Sequence, residues 1–395
     1  MISNKCSKGR AMGNLTRYVK ENHQLFLETL QELAQIPAPS FQEEKRRRYC
    51  QQWLDRFQIP YSTDQSGSLL IPYRIQEGSR NRLVIAHLDV VFDETVPMKL
   101  ERDNDLWFCP GIGDNTVNAV LLLFLAKYLY ETKPETACGL WLAADTCEEG
   151  LGNLAGCRQV MKTLEGRVDL VLGFDLYRDR IYTGCIGSVR YRITAKTKGG
   201  HSFLNFGRAN AIEVLSRLIE KLYGWTTDGN TTYNVGMISG GTSVNTIPQD
   251  ASMLFEYRSD DAQALKKGKA YLKKCLDEIH QEYLERAEAQ EVTVVCETVG
   301  ERPCAASVNQ EAVQWLSETC QTIIQAKTGV KPLEAEASTD CNIPLSMGIP
   351  AVCAGFVRGG GAHTREEWID VSTVDGALEA AIGCALALVQ GQEDE

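Results

Sequence analysis

The chain has 395 residues, 44% hydrophobic and 24% charged, with a formal net charge of −11. That length exceeds what one ordinary core organises, so two domains are expected, and the composition is that of a folded globular protein. With no basic block the acidic balance sets nucleic acid aside as a partner, and the apolar runs "AVLLLFLA" and "AAIGCALALV" are too short for a bilayer span, which sets membranes aside.

The first helix is expected over "NLTRYVKENHQLFLETLQELAQI", where apolar residues recur at helical spacing until Pro37 and Pro39 stop it. The N-terminal stretch has basic residues but no apolar h-region behind them, so a soluble, cytoplasmic protein is expected. A short strand pair follows around "GSLLIPYRI", then the fully apolar run "RLVIAHLDVV", which suits a central strand covered on both faces. Helix "NAVLLLFLAKYLYET", strand "ACGLWLAAD", helix "LAGCRQVMKTL" and strand "VDLVLGFDL" then alternate. This βαβαβ pattern predicts an α/β fold with a mixed, mostly parallel sheet and helices on both faces.

From about residue 185 the order becomes βαββαβ: "SVRYRITAKTK", "NAIEVLSRLIEKLYG", "TTYNVGMIS", "ASMLFEYRS", a long helix running to Gln290, and "EVTVVCETV" from Glu291. That order is ferredoxin-like and predicts an inserted second domain. After Pro303 the helix "NQEAVQWLSETCQTIIQAKT", strand "IPAVCAGF" and helix "DGALEAAIGCALALVQ" return to the first pattern. One domain is therefore expected over 1–184 and 301–395, interrupted by the other over 185–300. The 14 cysteines include no Cys-x-x-Cys pair and read as reduced, buried thiols, which leaves no thiolate zinc site.

The candidate chemistry lies at strand ends. His87 and Asp89 are two apart on an apolar run, so their side chains should share a face, and a carboxylate there could orient a metal-binding imidazole. The pair also reads as a core histidine beside a strand-end acid. Asp114, in the Pro/Gly-rich loop "CPGIGDNTVNAV", sits where an ordinary helix N-cap would. Glu148 and Glu149 leave a buried strand into Gly150 and Gly152, a turn that could aim both acids into one crevice. Asp175 ends "VLGFD", and His363 lies in "RGGGAHTREEW" after another apolar strand. In open α/β sheets the carboxyl ends of strands form the ligand crevice. Two imidazoles and three carboxylates there suit two divalent ions with one Asp shared.

Taken in order, "AHLDVV", "GIGDNTVNAV", "TCEEGLGNL", "VLGFD", "KGGHSFLNFGRANAI", "GGTSVNTIP", "FEYRS", "STDCNIPLSMGIPAV" and "GGGAHTREEWI" resemble the cocatalytic zinc exopeptidases and amidohydrolases, a family that includes tripeptidase T, carboxypeptidase G, aminoacylase and succinyl-diaminopimelate desuccinylase. The resemblance implies that His87, Asp114 and Asp175 hold one metal and Asp114, Glu149 and His363 the other, with Asp114 bridging. It implies Glu148 as general base acting on a metal-activated water, Asp89 as the residue steering His87, and His201, Asn245 and Arg258 as substrate-binding residues, with His201 often serving the partner subunit. It implies two divalent ions, zinc by default with cobalt or manganese as alternatives, a small peptide or N-acyl amino acid as substrate, and a homodimer through the 185–300 domain. Where many members carry Lys-Gly after the bridging Asp, this chain has Asn115-Thr116-Val117-Asn118, which resembles a tripeptidase-like or aminopeptidase-like variant. The expected activity is hydrolysis of an amide bond in small peptides. An N-acyl amino acid deacylase and a non-catalytic metal-binding or regulatory protein are the alternatives.

Overall fold

The structure, a computed structural model, describes residues 2–227, 229–285 and 292–390, with residues 2–13 as backbone. The predicted helix end at Gln290 and strand start at Glu291 lie outside the described residues. The chain divides into two compact units, 1–185 with 306–395, and 186–305.

The first unit is built on an eight-stranded sheet in the order Ser62–Thr63, Leu69–Tyr73, Leu140–Asp145, Asn81–His87, Val168–Phe174, Ala351–Ala354, Arg180–Cys185 and Leu333–Ala337. The strands Leu140–Asp145, Asn81–His87, Val168–Phe174 and Ala351–Ala354 run parallel, and the flanking strands make the sheet mixed. Their near-continuous burial is what a sheet covered on both faces requires. On one side Val117–Thr132 packs with Ile2–Ala34 and Val374–Gln390 around Phe26, Trp53 and Phe124. Every residue from Val117 to Leu129 is buried, which explains why that helix has no polar face. On the other side Cys157, Val160 and Met161 of the helix Ala155–Thr163 meet Ile343 and Leu345.

Three elements differ from expectation for identifiable reasons. The strand predicted through Val91 ends at His87, because beyond it the chain turns to other partners, with Val90 N–H donating to Ala38 at 2.9 Å. Glu44–Arg56 is a helix the sequence reading missed. Its buried stripe, Arg46, Cys50, Trp53 and Leu54, has helical spacing but begins with an arginine, which apolar patterning does not count. The polar edge strand Leu333–Ala337 likewise carries almost no apolar signal. The segment Val371–Gln390 is long and apolar enough by composition to cross a bilayer, more than its uncharged run suggested, yet its apolar side packs in the core. The 13 cysteines whose side chains are described are all free thiols.

The second unit is an antiparallel sheet in the order Thr232–Gly240, Asp250–Ser259, Gly187–Lys196, Thr293–Arg302, with Ala211–Leu222 and Ala262–Leu284 packed on one face. This is the βαββαβ arrangement. Asn210 caps the first helix by accepting from Ile212 and Glu213 N–H at 2.9 and 3.2 Å, and Asp261 caps the second by accepting from Gln263 N–H at 2.8 Å. A short pair joins Gly200–His201 to Thr246–Ile247, so the "GGH" and "SVNTIP" motifs lie side by side.

Phe124 is fully buried, with ring centroids 5.1 Å from Phe26 and 5.3 Å from Trp53. Phe124→Ala is expected to lower the stability of the first unit by about 3–5 kcal/mol in urea unfolding; a loss below about 1 kcal/mol would show that this cluster does not hold the helical layer.

Candidate metal centre

The parallel strands deliver the site at their carboxyl ends. His87 is the last residue of its strand, Asp175 follows Phe174, and the Glu148–Glu149 turn follows Asp145. Asp114 comes from the loop before the helix Val117–Thr132, and it is not that helix's N-cap, a position Thr116 occupies. His363 follows the strand Ala351–Ala354 and the short strand Gly359–Gly360.

These side chains converge. His87 Nε2 lies 3.3 Å from Asp114 Oδ1 and 3.6 Å from Asp175 Oδ1. His363 Nε2 lies 3.2 Å from Asp114 Oδ2 and 3.2 Å from Glu149 Oε1. The two oxygens of Asp114 thus face two different imidazoles. Donor atoms of His87, Asp114 and Asp175 lie within 4.8 Å of one another, as do those of Asp114, Glu149 and His363, and those of His87, Glu148 and Glu149. The first two sets are the two ligand triads expected from the sequence, and they share Asp114. All these residues are buried except His363, whose side chain is 55% exposed and marks the open side.

The donor set fits a pair of divalent cations. His87 Nε2 is buried and receives no hydrogen bond, while its Nδ1 is held 3.1 Å from Asp89 O and 3.4 Å from Asp89 Oδ1. A ring with its proton on Nδ1 turns a bare lone pair toward Asp114 and Asp175. The electrostatics agree. Burial and the Asp114 carboxylate push Glu149 up to about 7 and Asp175 up to about 6, the signature of acids crowded without enough positive charge. Burial opposes a charged His87, yet Asp114, Asp175 and Asp89 carry it well above its ordinary value. Hydrogen bonds to Asp114 and Glu149 push His363 up to about 11. Protons here stand where cations would bind. The overlapping triads form a dinuclear metal-binding site of nitrogen and oxygen donors.

Asp89 does more than steer His87. Its Oδ1 accepts from Glu148 N–H at 3.0 Å, and its Oδ2 accepts from Glu149 N–H at 2.9 Å and from Ser40 Oγ–H at 2.6 Å. One carboxylate therefore fixes both the imidazole and the backbone of the adjacent glutamates. Glycine contributes at Gly152, where a Cβ would lie 2.7 Å from Cys147 O, so the turn closes only without a side chain. Arg46 braces the approach to Asp89, donating from Nε to Ile36 O at 2.8 Å and from Nη1 to Leu88 O at 2.9 Å.

Glu367 organises the other side. It accepts from the backbone N–H groups of Gly111, Gly113 and Asp114 at 2.6, 2.9 and 2.6 Å and from the Tyr177 hydroxyl at 3.0 Å. Asn118 donates to Asn115 Oδ1 at 2.7 Å and to Leu176 O at 3.1 Å, tying the Asp114 loop to the segment after Asp175. The sequence reading missed Ser40 and Glu367. Glu367 repeats the paired-acid signal as Glu366-Glu367, only four residues after His363.

His201, Asn245 and Arg258 belong to the second unit. His201 Nδ1 accepts from Phe203 and Leu204 N–H at 3.2 and 3.4 Å, so the ring proton sits on Nε2 and the exposed edge is a donor. Asn245 Oδ1 accepts from Ser243 Oγ–H at 2.6 Å. Arg258 Nε donates to Glu256 Oε1 at 3.0 Å.

Residues 183–284 match the family of the M20 peptidase dimerisation domain. A curated succinyl-diaminopimelate desuccinylase of Corynebacterium glutamicum is 25% identical over 357 residues, covering 87% of this chain and 91% of its own. A tripeptidase of Staphylococcus aureus superposes with a TM-score of 0.72 at 18% identity, covering 94% of this chain and 99% of its own. A di-peptidase of Saccharomyces cerevisiae superposes with a TM-score of 0.75 at 14% identity, covering 96% and 98%. At these identities the structural likenesses establish the fold.

Two outcomes are expected. Glu367→Ala should weaken divalent-metal binding about 10- to 100-fold in competition with a chromophoric chelator, with the fold retained; unchanged affinity would remove Glu367 from the support of the site. Because cations and protons compete for Glu149 and Asp175, metal affinity should fall as the pH drops from about 8 to about 5.5, and a flat profile would contradict the electrostatics described.

Proposed function

We propose that this chain is a member of the M20 peptidase family of dinuclear-metal amidohydrolases and exopeptidases, and a hydrolase that cleaves an amide bond in small peptides. The observation that carries this reading is Asp114, whose two oxygens face His87 and His363 and so join two ligand triads through one carboxylate. His87, Asp114 and Asp175 would hold one cation, and Asp114, Glu149 and His363 the other. Zinc is the default for such a mixed imidazole and carboxylate set, with cobalt or manganese as alternatives. Two cations so held supply Lewis acidity for the scissile carbonyl and for a water molecule.

The chain's own residues supply the rest. Glu148, buried beside this set and fixed through its backbone by Asp89, takes the proton of the attacking water and returns it to the leaving amine. His201, with its proton on Nε2, is suited to donate to the oxyanion that develops on the carbonyl, and Asn245 to hold substrate. Self-association through the second unit is supported by its match to a peptidase dimerisation domain and by its outer strand Thr232–Gly240, where Met237 and Ile238 are exposed. The name of the curated relative, a desuccinylase, favours a second reading in which the substrate is an N-acyl amino acid. A panel of dipeptides, tripeptides and N-acetyl or N-succinyl amino acids, read by mass spectrometry, separates the two.

Glu148→Gln is expected to lower kcat by about 10²–10⁴ while leaving metal content unchanged. A variant with full turnover and full metal loading would remove Glu148 as the base.

A further inference from the structure

We propose that Glu43 is a positioning residue for Glu148: by accepting from the Cys147 N–H, its carboxylate holds the residue before Glu148 in the left-handed conformation that carries Glu148 into the metal centre. That Glu148 acts as the base rests on the hydrolase reading above. The hold of Glu43 on its backbone rests on geometry within the first unit alone.

Glu43 stands at the N-cap position of the helix Glu44–Arg56, where an acid ordinarily accepts from the amides of its own first turn. It makes no such bond. Its buried carboxylate serves a different segment: Oε1 accepts from the Cys147 N–H at 2.9 Å and from the Cys147 thiol at 3.3 Å, and also from the Phe41 N–H at 3.0 Å. The backbone of Glu43 is fixed in turn by the helix, its carbonyl accepting from Arg47 N–H at 2.9 Å. Three residues earlier Ser40 reaches the same turn, donating to Asp89 Oδ2 and to Glu149 O.

Cys147 has φ 56°, a conformation that costs free energy in any residue with a side chain and persists only where its surroundings impose it. The imposing contacts are on both sides of its peptides. The Thr146 and Cys147 carbonyls accept from Gly156 and Ala155 N–H at 2.9 and 3.1 Å, while the N–H groups of Cys147, Glu148 and Glu149 go to Glu43, Asp89 and Asp89. Three consecutive amides are thus divided between two buried carboxylates. Glu149 has further anchors, its carbonyl accepting from Ser40 Oγ–H at 3.1 Å and from Gly152 N–H at 2.7 Å. Withdrawing the Glu43 oxygen leaves the buried Cys147 N–H without an acceptor, and the strained residue beside it is the one that gives way. Glu148 follows Cys147, whereas Glu149 keeps its place on the metal side.

The test uses the zinc-loaded full chain and variants that separate the reach of the acceptor from its charge. Glu43→Gln removes the charge but keeps an oxygen at the same reach, and should retain kcat to within about threefold on the best substrate of the panel above. Glu43→Asp keeps the charge but draws the oxygen back by one methylene, and should lower kcat about 10- to 100-fold, as should Glu43→Ala, with KM and metal content unchanged. In a Glu148→Gln background Glu43→Ala should cost no more than about a further twofold, because the residue through which it acts is already lost. Crystals of Glu43→Asp should show Cys147 out of the left-handed region and the Glu148 carboxylate displaced by about 1 Å or more, with Glu149 in place. Glu43→Gln as damaging as Glu43→Asp, a full further loss on top of Glu148→Gln, or loss of metal with Glu43→Asp would overturn the proposal, as would an undisplaced Glu148. Should Glu43→Ala fail to fold, the Gln and Asp variants decide. The crystallographic result does not depend on turnover: a displaced Glu148 in a chain that hydrolyses no peptide or N-acyl amino acid would count against the hydrolase reading alone, and hydrolysis with Glu148 undisplaced would count against the role of Glu43 alone.

Discussion

Asp114 must serve two imidazoles at once, and the rest of the first unit is arranged so that it can. Its carboxylate has only two oxygens, each just over 3 Å from a different histidine, so a small rotation of the loop would surrender one side. The loop is fixed at its backbone by Glu367, at its far end by the Asn115–Asn118 pair, and below by a helix whose every residue through Leu129 is buried. Parallel strands then bring His87 and Asp175 to the same edge, because parallel pairing places their carboxyl ends together.

This arrangement is costly without cations. Buried carboxylates lose hydration worth several kcal/mol each, and here Asp114, Glu148, Glu149 and Asp175 gather around two imidazoles, with Asp145 and Asp340 buried behind them. Burial raises Asp145 and Asp340 well above the ordinary carboxylate range. A cluster of this kind is stable when divalent charge enters it, and metal binding then becomes part of the folding free energy of the unit.

The parallel sheet and the inserted antiparallel unit were legible in the sequence because both depend on apolar periodicity over long segments. The metal-site candidates were legible for a different reason: His87, Asp114, Glu149, Asp175 and His363 all adjoin apolar strands or a buried helix, where a charged group stands out. The supporting residues were not. Ser40 and Glu367 act through hydrogen bonds to backbone groups distant in sequence, and a serine or glutamate in a turn has the same local pattern whether it faces solvent or three buried N–H donors. The paired glutamates illustrate the limit. The glycines after them pointed to a sharp turn, and Gly152 does allow it, but the acids are aimed by Asp89, which lies about sixty residues earlier and holds both backbone amides.

The central claim is that one aspartate joins two cation sites. An anomalous-difference map of crystals of the zinc-loaded protein, collected on both sides of the zinc edge, tests it directly. The account predicts two peaks per chain, one against His87 and Asp175, the other against His363 and Glu149, with Asp114 reaching both. A single peak, or two peaks that Asp114 does not connect, would contradict it.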